Sequence, residues 1–460
     1  MTLRNILLAG TALGAAAFLA VPAHAGSKDC CGDVEALKQQ INDLQQKVDD
    51  LAIDYGNKIK DLQSRKSDVI VSMKNGAPTF STADGAYTMT VSGRFHLDAG
   101  AYGGIGNAER TAITTAAGAD AATGNATFRR LILGVKGTFA KDWGYDLFFN
   151  FAGNTGSIYE AALHYKGIKN VDIVWGAIQP ILTLDDTVSS NDITFIERSA
   201  ANNLMTGIGA SDGRMAVGVT GHGDNFYAGG YYTMDSKGSN NDHDTQNVVG
   251  RVAVAFHPDD MSTVHLGASG SYTFETPNGQ YRFRERPEMR MDGGSLRTVD
   301  TGTISNIDNM AAYGPELALA YGPVRAQGEY YVYNVNRNGA NQDLDFNAWY
   351  VSASWVLTGE NYKYSMSKAT FKGVSPADPF TAGGGFGAWE IGARYSEADL
   401  NDQSIVGGKQ KIWTVGLNWY PNNNVRFMLD YNNTDVEDFG GVVGQDLKFD
   451  IIGLRTQFKF

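Results

Sequence analysis

Many segments of this chain place a charged side chain at every second position. A period of two puts such residues on one face of a strand and leaves the other face apolar. Arg94 and Asp98 are opposite in parity to Val91, Phe95 and Leu97, while Arg130 and Lys136 are opposite to Leu131, Leu133 and Val135. Read this way, the polar faces carry Arg94, Arg130, Lys136, Lys166, Arg214, Arg251, Arg325, Arg394 and Arg426 against Asp98, Asp146, Glu160, Asp172, Glu275, Glu316, Glu329, Glu390 and Asp430. The two sets balance. Charges of both signs facing a shared wet interior do the chemistry of ion passage, because acidic rings draw cations and basic rings draw anions. Arg129 falls on the apolar parity and is expected to point outward. Between Gln179 and Met205 the balance shifts, with Asp185, Asp186, Asp192 and Glu197 against one base, Arg198. A narrow passage focuses the field of such a group. These residues, with Asn191, make a locally acidic stretch between the balanced segments.

The patterns of catalysis are missing. The sequence has no GxSxG elbow, no GxxxxGK[ST] loop, no HExxH helix and no EF-hand loop. Ser365-Met366-Ser367-Lys368 fits SxxK without its companion motifs, in what reads as a surface loop, so coincidence explains it better than catalysis. The seven His are scattered, and the two Cys, Cys30 and Cys31, are adjacent, so no metal framework or bound cofactor is expected. A net charge of −12 argues against nucleic acid as a partner.

The elements that position these residues follow from the same patterning. Residues 1–25 read as a signal peptide: Arg4, an apolar run from Ile6 to Ala20, then Ala23-His24-Ala25. Residues 26–65 hold a heptad seam, Val34, Leu37, Ile41, Leu44, Val48, Leu51 and Tyr55, broken where Ile59 and Leu62 restart it one position late. It predicts a short oligomerising coiled coil, and an adhesin or cell-wall tether is a second use for it. Residues 66–86 read as a linker. From 87 to 460 alternating strands follow one another, separated by Gly, Asn and Asp clusters such as Pro421-Asn422-Asn423-Asn424. A soluble sandwich or propeller and a transmembrane barrel both produce this pattern. The export signal, strands of about ten residues, aromatic residues near strand ends and a mean hydropathy of −0.26 favour an all-β, transmembrane antiparallel barrel. Eighteen strand candidates are present. Two of them, Arg282 to Met291 and Ser295 to Ser305, are too charged to face lipid, which leaves sixteen.

Seven segments in order resemble the phosphate-selective porin O and P family: Ser92 to Asp98, Phe128-Arg129-Arg130, Ser189 to Arg198, Leu357 to Glu360, Gly387 to Glu390, Gly416 to Tyr420 and Gly453-Leu454-Arg455. The resemblance implies a trimeric sixteen-stranded barrel in the outer membrane of a Gram-negative bacterium, in contact with lipid and lipopolysaccharide, with the N-terminal segment in the periplasm. It also implies an arginine ladder leading to a lysine-containing anion site, and inward-folded loops forming a constriction, for which Gln179 to Met205 is the candidate, with Asp185, Asp186, Asn191, Asp192, Glu197 and Arg198; its acidic excess predicts weak selectivity. Arg94, Arg129, Arg130 and Arg198 match family arginines. The chain departs where Asp186 and Asn191 replace two lysines and Ile132 replaces a basic residue. Together these readings predict passive diffusion of ions and small hydrophilic solutes. An anion- or phosphate-specific channel is the alternative within the class, and an outer-membrane hydrolase barrel the alternative outside it.

Overall fold

The computed structural model describes residues 30–64, 69–118, 120–153, 156–211, 213–236 and 245–460; the signal peptide lies outside them. The chain divides into two units, residues 1–68 and 69–460. In the first, helix α1 spans Cys30–Ser64. Its seam residues Leu37, Ile41, Leu44, Val48 and Leu51 are each half exposed or more, while i,i+4 pairs Asp43–Lys47 and Asp54–Lys58 support the polar flanks. The side chains of Cys31 and Val34 lie outside the described set.

The second unit begins with a hairpin, β1 Val69–Lys74 and β2 Ala77–Thr82, where a linker was expected. The correction has a local cause. Asn75-Gly76 takes positive φ at both positions, 50° and 82°, as a two-residue hairpin turn requires, and β2 then pairs with the next strand through Phe80↔Met89.

Sixteen strands follow: β3 Thr88–Gly103, β4 Asn125–Phe139, β5 Trp143–Asn150, β6 Ser157–Tyr165, β7 Val171–Ile178, β8 Arg214–His222, β9 Phe226–Ser236, β10 Gln246–Phe256, β11 Ser262–Glu275, β12 Ile307–Tyr321, β13 Val324–Arg337, β14 Leu344–Val356, β15 Ala388–Asp402, β16 Ile405–Tyr420, β17 Val425–Glu437 and β18 Leu447–Lys459. Each pairs antiparallel with the next, and β18 returns to β3 through Arg455↔Asp98, which closes the ring. Closure satisfies every strand edge, the condition for strands to sit in hydrocarbon. No described helix is long and apolar enough to cross a membrane.

The outward face is graded along the strands. On β16 it runs Lys411, Trp413, Val415, Leu417, Trp419, from charge through an aromatic residue and an apolar stretch to a second aromatic residue. Trp413 meets Tyr395 at 4.9 Å and Trp419 stacks on Trp389 at 5.6 Å. Two aromatic girdles flanking an apolar belt are the mark of a bilayer-spanning wall.

Short turns join the strands at one end, where the sheet's two termini also lie; the exception is the connection 357–387. At the other end stand the long loops. Loop 1 (104–124) carries helix α2, Asn107–Ala117; loop 3 (179–213) carries the turn α3, Leu184–Thr187, and helix α4, Ala200–Gly209; loop 5 spans 276–306. The two charged candidate strands fall in loop 5, where Arg284–Glu285 pairs with Val299–Asp300 and Tyr281 bridges Ile304. Loop 3, loop 5 and the 357–387 connection all fold against the inner wall. Leu204 and Ile208 of loop 3 and Phe283 and Val299 of loop 5 join Tyr331, Tyr333 and Phe346 of the wall in one apolar cluster. Phe371 of the connection packs with Leu184 of loop 3 and Ala318 of the wall.

Candidate functional site

Loop 3 is shaped by its own caps. The Thr183 hydroxyl accepts from the Asp186 amide at 2.9 Å, and the Ser199 hydroxyl accepts from the Asn202 amide at 3.2 Å. Other loop amides meet carboxylates. Glu329 accepts from Leu184 and Asp185 at 2.8 and 3.1 Å, Asp430 from Ile196 at 2.7 Å, and Glu288 of loop 5 from Ala200 at 3.1 Å. Arginines of the wall take the polar oxygens: Arg394 donates to the Glu197 carbonyl at 3.0 Å, Arg426 to the Thr194 carbonyl at 3.3 Å, and Arg325 to the Thr194 hydroxyl at 2.7 Å. Charge-assisted bonds of this kind are about twice as strong as neutral ones.

This docking is one-sided. Along β8–β18 the inward side chains are buried almost throughout, because the folded-in segments cover them. Along β3–β7 several remain accessible: Arg94, Asp146, Glu160, His164 and Asp172 are half-buried and Lys136 is exposed. The wet passage therefore runs beside β3–β7.

Where that wall faces loop 3, basic groups gather. Glu197 lies 2.6 Å from Arg129 Nε and 3.0 Å from Arg455 Nη2. Arg455 also grips Asp98 with two bonds of 2.6 Å. Arg130 is buried beside them, and Arg290 of loop 5 lies within electrostatic reach of Glu197. Arg94 lies 5.3 Å over the Tyr159 ring. Burial alone raises the Glu197 carboxyl, but the surrounding guanidiniums of Arg129, Arg290, Arg455 and Arg130 outweigh it and hold the group well below its ordinary range. Burial, then Arg129, pushes Arg290 down to about 10, so it stays a cation at neutral pH. Arg94 Nε, Arg130 Nη1 and Arg290 Nε are buried donors without a partner.

The family described as phosphate-selective porin O and P matches residues 91–460. The chain belongs to the phosphate-selective porin O and P family. Porin O of Pseudomonas aeruginosa is 27% identical over 412 residues, covering 83% of this chain and 90% of that protein. Among solved structures, Salmonella typhi OmpF in complex with daunomycin superposes with a TM-score of 0.50 at 13% identity, covering 82% of this chain and 98% of that one. Pseudomonas putida OprB at high pH gives 0.50 at 10% identity, covering 82% and 95%. These two share the fold. Family and barrel together make the protein an outer-membrane porin of a Gram-negative bacterium, a channel and not an enzyme.

The porin carries Arg94 and Asp98 on β3 and Arg130 and Lys136 on the neighbouring β4. Arg129 departs from the expectation. His96 pairs with Arg130 and Leu97 with Phe128, so Arg129 is the extra residue of a β-bulge, which turns its side chain in to Glu197. The acidic excess expected in the constriction does not face the passage either. Asp185 accepts from the Ser199 amide at 3.3 Å, Asp186 from Gln179 at 2.8 Å, Asp192 pairs with Lys459 at 2.8 Å, and Glu197 is held by arginines. Arg198 is 9% exposed and staples loop 3 internally, donating to the Asp185 and Val188 carbonyls at 3.1 and 2.7 Å. Asn191 faces His96, Oδ1 to Nε2, at 3.0 Å. Both sides of the lumen count lose members to the folded-in segments, Arg251, Arg325, Arg394 and Arg426 on one side and Glu329, Glu390 and Asp430 on the other, with Glu316 tied to Arg251. Arg455, at the centre of the cluster, was missing from that count. Its parity to Leu454 was the signal that marks it. The Ser365 to Lys368 motif lies in the 357–387 connection, with Ser367 and Lys368 exposed. The Ser365 hydroxyl there is 3.1 Å from that of Ser367.

Proposed function

We propose that this porin is a passive diffusion channel for ions and small hydrophilic solutes with a modest preference for anions. The carrying observation is the group of four guanidiniums, Arg129, Arg130, Arg290 and Arg455, around the Glu197 carboxylate, with Arg94 on the same wall and buried donors of Arg94, Arg130 and Arg290 unspent. Basic groups at a narrow section favour anions. The neutralised loop 3 acids remove the reason to expect a reversed field. Asp186 and Asn191, in place of the family lysines, favour weak selectivity over a phosphate-specific site. By the ordinary arrangement of bacterial barrels the short-turn end faces the periplasm, and our reading of α1 is a periplasmic coil that joins the subunits of a homotrimer, supported by its exposed heptad seam.

Reversal potentials in a KCl gradient across planar bilayers test this. Chloride is expected to be favoured a few-fold over potassium, roughly the scale of a partly compensated basic ring. Cation preference overturns the reading, and block of chloride current by micromolar phosphate supports the phosphate-specific alternative instead. Liposome swelling with small sugars separates either channel from a sealed barrel.

A further inference from the structure

The stretch from Pro379 to Trp389 at the short-turn end contains no charged residue and three consecutive glycines, Gly383-Gly384-Gly385. It is nevertheless built. Phe380 N donates to the Pro421 carbonyl at 2.8 Å, Thr381 and Gly384 exchange backbone bonds of 2.9 and 3.2 Å, and Gly387 N donates to the Asp378 carbonyl at 3.0 Å. Gly387 has φ of 67°, and a Cβ there would lie 2.3 Å from the Tyr420 carbonyl oxygen, so only glycine fits. The result is a fixed loop that presents Phe386 80% exposed and Phe380 52% exposed. An apolar side chain held out by a shaped backbone is a poor design for water.

Its neighbours say what it meets. Phe380 packs edge-on against Trp419 at 5.5 Å, and Trp419 Nε1 donates to the Phe386 carbonyl at 2.9 Å. Trp419 itself stacks between Trp389 and Phe427 at 5.6 and 5.5 Å. These three are outward residues of β15–β17 and form the aromatic girdle of this end. The loop is therefore continuous with a surface that already meets lipid.

We propose that the Phe380–Phe386 loop is an interfacial anchor that inserts Phe386 among the headgroups and upper acyl chains of the periplasmic leaflet. Amphipathic aromatic surfaces settle at that depth, and the missing charge lets the whole loop follow. The proposal rests on the membrane-barrel reading.

The test is nitroxide accessibility in phospholipid vesicles, using the full chain with Cys30→Ser and Cys31→Ser. Single labels go at Ala382→Cys, which keeps both phenylalanines, at Val415→Cys in the apolar belt and at Asn423→Cys in a neighbouring turn. The Ala382 label is expected to favour oxygen over a water-soluble nickel chelate, at a depth between those of the other two, and Phe386→Ser is expected to shift it toward the Asn423 value. Nickel access at Ala382 equal to that at Asn423 overturns the proposal, as does shielding from both reagents, which would mean a second copy covers the loop. A water-exposed Val415 label would instead refute the barrel reading.

Discussion

Arg455 and Arg94 carry the same charge and do different work. Arg455 is 1% exposed and holds two carboxylates, Asp98 and Glu197. Replacing it by Met leaves Asp98 buried without its partner and Glu197 with Arg129 alone, and breaking a buried pair costs roughly 3–5 kcal/mol; a lower unfolding midpoint in detergent is the expected reading. Arg94 stands over Tyr159 with its Nε unpartnered. Arg94→Ala should change the unfolding free energy by no more than about 0.5 kcal/mol and reduce the chloride preference in reversal-potential measurements. Glu197 sets the pH behaviour of the seat. Its carboxyl lies well below the ordinary 4.5 because of the guanidiniums around it. A depressed folded value stabilises wherever the unfolded chain's carboxyl is ionised, and that stability is lost as pH falls from about 4.5 through the folded value. The stability that Glu197 supplies is therefore expected to stay level between pH 7 and 5 and to fall only below 4.5, read as the difference in unfolding midpoint from Glu197→Gln; a difference that already changes near pH 6 would contradict this account of Glu197.

At the scale of elements, loop 3 is a lid fastened from two sides. Its amides go to carboxylates on β13, β17 and loop 5, and its carbonyls to arginines on β15, β17 and β18. Glu329 is the most heavily used of these carboxylates, since the Tyr331 and Tyr350 hydroxyls also donate to it at 2.6 and 2.7 Å. Glu329→Gln replaces one acceptor oxygen by a donor that faces other donors. The barrel is expected to form as before, judged by its gel mobility unheated and heated. Open-channel current noise should rise about two-fold as the loop samples locally open states. Unchanged noise would mean the remaining bonds suffice without it.

The whole molecule combines a barrel with a helix whose apolar seam lies open. Seam residues at least half exposed over five heptad positions are unfavourable for a lone helix in water and favourable for a bundle. A peptide of residues 26–65 is expected to gain helicity with concentration, and Leu44→Lys to abolish that gain, both read by circular dichroism. Deletion of the segment should weaken subunit association on native gels while leaving conductance per pore unchanged.

The all-β class, the sixteen spanning strands and the inward parity of Arg94, Asp98, Arg130 and Lys136 were legible in the chain. A two-residue period next to lipid leaves each side chain only two choices. Arg129 was not legible, because one bulged residue reverses the parity of its neighbourhood and depends on pairing with a strand about thirty residues away. Nor were the fates of the loop acids. Asp192 and Lys459 are separated by 267 positions and meet at 2.8 Å only because the sheet closes. Local spacing fixes which face a strand residue takes. Which arginines line the water and which hold a loop follows from long-range packing, and that is set by the three segments folded into the barrel.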